Sequence, residues 1–413
     1  MNSDTRVVIT GMGVVSPVGI GKDKFWEALI EGTSGISPLT MFDTSIFKNK
    51  NAAQINDFDA AEYLGSNGLK YFDRSTVLIL TAAKLALDGH RIPFSDRELE
   101  ESGVVVGTAF GGLHSIGEFD RESIDNPNYV NPMHFPNTVI NSPASQVSVR
   151  YGMRCMNVTM STGFAAGTDA LGNSFNYIRS GMAGVIFAGG VEELCIESFA
   201  AFSKNGLLAG RKENCEERVY PYDKRRDGMI LGEGAVLLVM ENLQLALERG
   251  DDILAEVIGY GTSCDASFKH NFNSSGTRAK TAMIMAMEEA GVSPLDIDYI
   301  CGSANGSVEG DKMEYEALEE IFGDDIRNKA VSSIKASVGE CVGASGAFQT
   351  AASVLAINKG IVPPTLNFEM AENEKGSLNI IETPDKRDID IAMINSFGCN
   401  GINSSLIIRK FKA

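Results

Sequence analysis

The sequence predicts a duplicated α/β protein. Residues 1–250 and 251–413 form two similar halves, each alternating strand and helix around a largely parallel central sheet. Three observations carry this reading. Val7 to Ser16 reads as a strand running into Gly-x-Gly and then Ser, and Ala255 to Ser263 repeats that form. A helical pattern from Ser75 to Asp88, followed by the strand Val104 to Gly107, is copied by Thr277 to Ala290 and Tyr299 to Gly302. The run Val104-Val105-Val106 is apolar without alternation, as in a sheet covered on both faces.

Taken in order, Val7 to Thr10 is β-branched and begins as a strand. Gly11 to Ser16 starts like a dinucleotide fingerprint. Ser16 stands where the third glycine belongs, however, and no acidic residue closes a second strand. A tight strand-to-loop turn is expected there. Lys24 to Glu31 reads as a short helix with Trp26 and Leu29 inward. Ser75 to Asp88 is apolar nearly all round, hence buried, with Gly89 as its stop. Gly184 to Ala188 is a strand expected to end in Gly189-Gly190, Phe199 to Tyr222 is loop-rich, and Gly234 to Met240 is again strand.

The 413 residues, 44% of them hydrophobic, are ample for a large core. A formal net charge of −18 leaves nothing to neutralise phosphates and excludes nucleic acid as a partner. No apolar run approaches the roughly 18 residues of a membrane span. No basic segment leading into an apolar one opens the chain, so a cytoplasmic protein is expected. The seven cysteines are scattered without metal-ligand spacing, so no metal is expected. Cys195, Cys301 and Cys341 read as reduced core thiols, and Cys155 as an inert core thiol.

The stretch Asn157 to Gly163 lies between an extended run and a helix of small residues, Phe164 to Ile178. Acyl-transfer enzymes lift a Cys or Ser nucleophile on such a turn, where the helix N-terminus stabilises an anion. Here the turn presents Met160, whose thioether has no proton to lose and holds no stable acyl ester. Ser161 follows it with no histidine placed by motif to activate it.

RVVITGMGVVSP from Arg6, GTAFGGL from Gly107, PYDKRRDGMILGEGA from Pro221, SIKASVG from Ser333 and NSFG from Asn395 together resemble the β-ketoacyl-acyl carrier protein synthases. The resemblance covers almost the whole chain. It implies a thiolase fold in a layered αβαβα arrangement, no cofactor, and a Cys-His-His site. Each of those three positions is replaced. Met160 stands at the cysteine, Asn305 at the first histidine and Glu340 at the second, while Lys335 and Glu314 are retained. Asn305 keeps one hydrogen bond to offer, whereas an ionised Glu340 would repel an enolate. His90, His114, His134 and His270 fall outside these motifs. The gating element reads Gly398-Cys399-Asn400-Gly401. Lys335 and Glu340 are expected either to pair in place of the lost imidazole or to persist for packing. The S-x-x-K match at Ser332 is read as coincidence.

This pattern is similar to the chain-length factors of type II polyketide synthases. These non-catalytic subunits pair with a cysteine-bearing ketosynthase and shape its tunnel. Those of aromatic pathways often carry Gln where this chain has Met160. The resemblance implies a heterodimer with a catalytic ketosynthase, contacts through Asn131 to Asn141 and the helix after Met160, and a tunnel floor built from Phe110, Leu113, Met133 and His134. An acyl carrier protein, itself acidic, would dock mainly on the partner, because Lys70 and Arg74 offer only a small basic patch. A stand-alone condensing enzyme or a decarboxylase on the same fold is the alternative.

Overall fold

The computed structural model describes residues 5–90, 93–211, 216–266, 272, 276–371 and 378–412. Val7–Ser16 forms one strand, β1, buried along its whole length. The turn expected at Gly11 to Ser16 is absent, since β1 keeps pairing with Gly234–Asn242 as far as Val15↔Ala235. Its glycines answer a packing need instead. A Cβ on Gly13 would sit 1.9 Å from the Ala82 carbonyl oxygen of the helix Arg74–Asp88. Glycine is what lets that helix lie on the strand.

Among the described residues, four more long strands join β1 in the first half, β2 (Gly103–Gly107), β3 (Asn157–Met160), β4 (Val185–Glu192) and β5 (Gly234–Asn242), and the two-residue strand Gly19–Ile20 pairs with the end of β1. The second half repeats them as β6 (Ala255–Cys264), β7 (Tyr299–Cys301), β8 (Ala330–Ser332), β9 (Ile391–Phe397) and β10 (Ile402–Arg409). Hydrogen bonding runs β3-β2-β4-β5-β1 in one half and β8-β7-β9-β10-β6 in the other. The two are joined edge to edge through Val7↔Val257 to Ile9↔Ala255. The same strand order in both halves is the duplication.

Each half is mixed, which corrects the expectation of largely parallel sheets. β2 runs parallel to β3 and β4, and β7 parallel to β8 and β9. The pairs β4–β5, β5–β1, β9–β10 and β10–β6 are antiparallel. Strands buried on both faces are uniformly apolar in either orientation, so composition alone does not fix direction. Gly189 and Gly190 likewise lie inside β4, and a Cβ on Gly189 would meet the Val236 carbonyl at 1.9 Å.

Helices α1 (Arg74–Asp88), α2 (Ala166–Arg179), α3 (Thr277–Ala290) and α4 (Ser345–Lys359) build the layers. α1 covers β1 and β5 on one outer side, and α3 covers β6 and β10 on the other. α2 and α4 pack against each other between the two sheets, giving the αβαβα thiolase-like arrangement. α4 is buried from Ser345 to Ile357. Gly261 repeats the role of Gly13, with a Cβ there 2.2 Å from the Ala282 carbonyl. The region expected as loop after Phe199 begins inside a helix, Ile196–Lys204. Among the described residues no helix is long and apolar enough to cross a membrane.

Candidate functional site

Met160 ends β3, and its carbonyl accepts a hydrogen bond from the Thr108 N–H at 3.0 Å. Gly163, at φ +66°, turns the chain into a 3-10 segment, Gly163–Ala165, that feeds α2. The turn is therefore aimed by a parallel strand and a buried helix, as a nucleophile would be. Its side chain is half-buried against the main core. Thr162 Oγ1 donates to Asp169 Oδ2 at 2.5 Å and so fixes the turn to α2. Ser161 is exposed and donates only to the Ala109 carbonyl, at 3.3 Å.

Asn305 follows β7, and Lys335 opens the short helix Lys335–Val338 ahead of Glu340. All three are buried and joined. Lys335 Nζ lies 2.9 Å from both carboxylate oxygens of Glu340. Asn305 Nδ2 donates to Glu340 Oε2 at 2.8 Å, and Ser345 Oγ donates to Oε1 at 2.5 Å. Asn305 Oδ1 accepts from the Ser307 N–H at 3.1 Å. Its amide is thus held at both ends, with its remaining contact to Met229 Sδ at 4.0 Å. The expectation that Asn305 keeps a free donor is corrected: Glu340 takes it. Where two imidazoles would each present an N–H to a developing oxyanion, this chain has a closed ion pair with its hydrogen bonds turned inward.

The retained Glu314 has a structural setting. It accepts from the N–H groups of Ser303 and Ala304, both at 2.9 Å, from the Tyr222 hydroxyl at 2.8 Å and from Asn395 at 3.1 Å. Burial raises its pKa above the usual carboxylate range. Asp311 receives the N–H of Asn305 at 2.9 Å, and burial lifts it to about 7. Together they set the backbone on which Asn305 sits.

Ser161, Val342 and the gating element border one cavity of about 620 Å³. Its apolar wall includes Phe110, Phe164, Phe202, Leu207 and Cys399. The rings of Phe110 and Phe164 lie 6.3 and 6.2 Å from that of Phe202. Asn400 Nδ2 donates to the Thr162 carbonyl at 3.2 Å, latching the gating element onto the Met160 turn. Burial, and then the charge of Glu340, push the Cys399 thiol up to about 11, so it is a poor nucleophile.

Of the predicted tunnel residues, the fold brings Phe110 alone to this cavity. Leu113 opens a helix, Leu113–Asp125, and is half-buried. Met133 and His134 lie on the 3-10 segment Pro132–Thr138, where Met133 is exposed and His134 meets Asn131 at 3.3 Å. His270 lies outside the described residues. Three further expectations are corrected. Arg74 is no free basic group, because Glu233 engages it at 2.5 Å. Cys155 is exposed, since it sits on the loop before β3. The helix after Met160 offers little surface, being sandwiched against α4.

One side chain that holds the cavity wall escaped sequence reasoning. Glu192, at the end of β4, accepts from the N–H groups of Ala109 (2.8 Å), Phe110 (3.1 Å) and Gly343 (3.0 Å) and from Thr108 Oγ1 (3.1 Å). It ties the Phe110 loop to the segment that follows Glu340. A charged residue ending an apolar, fully buried strand was the available signal.

The chain matches the model for the β-ketoacyl synthase N-terminal domain over residues 4–246 and that for the C-terminal domain over residues 254–369. It is 37% identical to the 3-oxoacyl-[acyl-carrier-protein] synthase 2 of Rhizobium meliloti, over 98% of this chain and 99% of that protein. The synthase 2 of Coxiella burnetii is 34% identical over 98% of each. Among solved structures, the ishigamide ketosynthase/chain length factor superposes with a TM-score of 0.91 at 30% identity, over 99% of this chain and 100% of the other. A chain from AntDE:AntF, a type II acyl carrier protein in complex with its ketosynthase, gives 0.88 at 27% identity over 99% and 100%.

Proposed function

The chain belongs to the β-ketoacyl synthase family, and we propose that within it this protein is a non-catalytic chain-length subunit. It acts beside a cysteine-bearing ketosynthase and shapes the tunnel in which that partner extends an acyl chain. The observation that carries the reading is the joint replacement at Met160, Asn305 and Glu340, with Glu340 closed onto Lys335, Asn305 and Ser345. Condensation needs a thiolate to hold the chain and donors to hold the enolate formed as malonyl loses carbon dioxide. Neither is on offer. The likeness to a ketosynthase/chain length factor structure supports this assignment.

Surface features support a partner as well. β3 is the outermost strand of its half, so one edge is open to pairing. Upstream of the helix that precedes β3, Tyr129, Met133, Phe135, Val139 and Ile140 are exposed. Such a patch is costly in water and suits a large obligate interface. The acyl carrier protein enters by analogy with the complex named above, docking mainly on the partner because this chain is strongly acidic.

The second reading, a stand-alone condensing enzyme, rests on the likeness to the Rhizobium and Coxiella synthases. Malonyl-carrier protein with a labelled carboxyl group separates the two. The isolated chain is expected to release no labelled carbon dioxide above background. Turnover by the chain alone would give the second reading the field.

A further inference from the structure

Away from the cavity, the fold gathers His90, Glu241 and Asp251 at the junction of the two halves. His90 follows α1, Glu241 lies on β5, and Asp251 begins the connection to β6. All three side chains are essentially inaccessible, at 0%, 0% and 1% exposure. One ligand atom from each lies within 4.8 Å of the others. We propose that these three residues bind one divalent transition-metal ion, of the zinc class, that fastens the connection between the halves.

Three features point to a ligand. The first is unmet bonding. Neither ring nitrogen of His90 has a hydrogen-bond partner among the described residues, and Asp251 Oδ1 has none either. A buried polar group without a partner costs free energy that a bound ion would recover. Nδ1 is 3.5 Å from Asp251 Oδ2, an ion-pair contact too long for a good hydrogen bond. The ring is also deliberately accommodated: a Cβ on Gly11 of β1 would come 2.3 Å from Nε2, so only glycine leaves room for it.

The second feature is charge. Among the described residues, Arg249 bridges the carboxylates Glu98, Glu241 and Asp251, and Lys22 is a further cation near His90. Three carboxylates contact a single guanidinium, an excess of acidic groups that a bound cation would offset.

The third is donor orientation. Arg249 engages Glu241 Oε2 and Asp251 Oδ2, and Thr10 donates to Glu241 Oε1. Asp251 Oδ1 is left free, and each carboxylate is held in place from outside, as outer partners hold metal ligands. Nitrogen with carboxylate oxygen is a donor set that zinc accepts, at about 2.0–2.2 Å from the ion. Side-chain tips need to close by about 1 Å to reach that spacing. No spacing rule on cysteines announces this site, because its ligands lie far apart in sequence and none is a cysteine.

The test uses the full chain, purified without a histidine tag and washed with chelator. Zinc sulfate is titrated in by calorimetry, with metal content read after dialysis. Cobalt(II) supplies a visible absorption band as a second readout. The expected result is one ion per chain and a higher melting temperature in zinc. His90→Ala and the isosteric Asp251→Asn should each weaken binding about tenfold or more, while His114→Ala leaves it unchanged. Absence of saturable binding would overturn the proposal, as would zinc or cobalt binding untouched by Asp251→Asn in a folded variant.

Discussion

At position 160 a thioether occupies the strand-to-helix turn, and under the proposed function the consequences are chemical before they are structural. Restoring a thiol alone should not restore function. Met160→Cys is expected to fold, because the side chain is only half-buried, yet to elongate no acyl chain. Without two oxyanion donors the rate falls by roughly 10⁴-fold or more. Intact-mass analysis after incubation with acyl- and malonyl-carrier protein checks this, and an acyl-enzyme that elongates would contradict it. A second residue-scale prediction concerns Glu193, whose carboxyl is pushed up to about 8 by burial and by the neighbouring Asp73 and Glu192. A carboxyl with a raised folded pKa binds more protons when folded. Its contribution is complete below about 4.5 and is lost as pH rises through about 8. Stability should therefore fall across that window, and Glu193→Gln should flatten the fall in urea midpoints between about pH 5 and 8. Both ends of the site chemistry, Met160 and the pair Asn305 and Glu340, are plain in the sequence motifs. The closure of Glu340 by Ser345 is not, because a hydroxyl five residues on carries no motif of its own.

At the scale of elements, glycine was the hardest letter to interpret. Gly-x-Gly after a strand signals a turn as readily as a smooth surface, and only the helix lying across it decides. Gly13→Ala would place a methyl group 1.9 Å from the Ala82 carbonyl, so α1 must withdraw. A loss of roughly 3 kcal/mol or more is expected, at the upper end of overpacking costs, read as a lower urea midpoint; an unchanged midpoint would refute the packing account. The loop carrying Phe110 is held by Glu192 from β4, and its ring stacks edge-on against Phe202. Phe110→Ala should cost roughly 3 kcal/mol and enlarge the cavity. Under the proposed function, products of the reconstituted pair should then lengthen by one or more two-carbon units in their mass spectrum. An unchanged length distribution from a folded, active pair would leave Phe110 a packing residue. Strand positions were legible from apolar runs, but strand direction was not, since burial on both faces erases the alternation that would distinguish them.

The whole molecule has the same strand order twice, with α2 and α4 enclosed between the sheets, and the repeat of strand, helix and Gly-x-Gly revealed that duplication in advance. What sequence left open is which surfaces stay uncovered. The open edge of β3 emerges only when the chain is folded, whereas the exposed Met133, Phe135, Val139 and Ile140 lie in the segment Asn131 to Asn141 that the family resemblance marks as a contact region. Those surfaces and the replaced positions support the proposed function, whose central claim is that catalysis requires a second, cysteine-bearing chain. The most direct measurement is condensation by this protein co-purified with such a ketosynthase, supplied with acyl- and malonyl-carrier protein. The account predicts that the pair elongates, that replacing the partner's nucleophilic cysteine by alanine abolishes the reaction, and that Met160→Ala leaves the rate within about twofold, since a residue making no bond in the transition state contributes little to it. A homodimer of this chain that elongates by itself would contradict it.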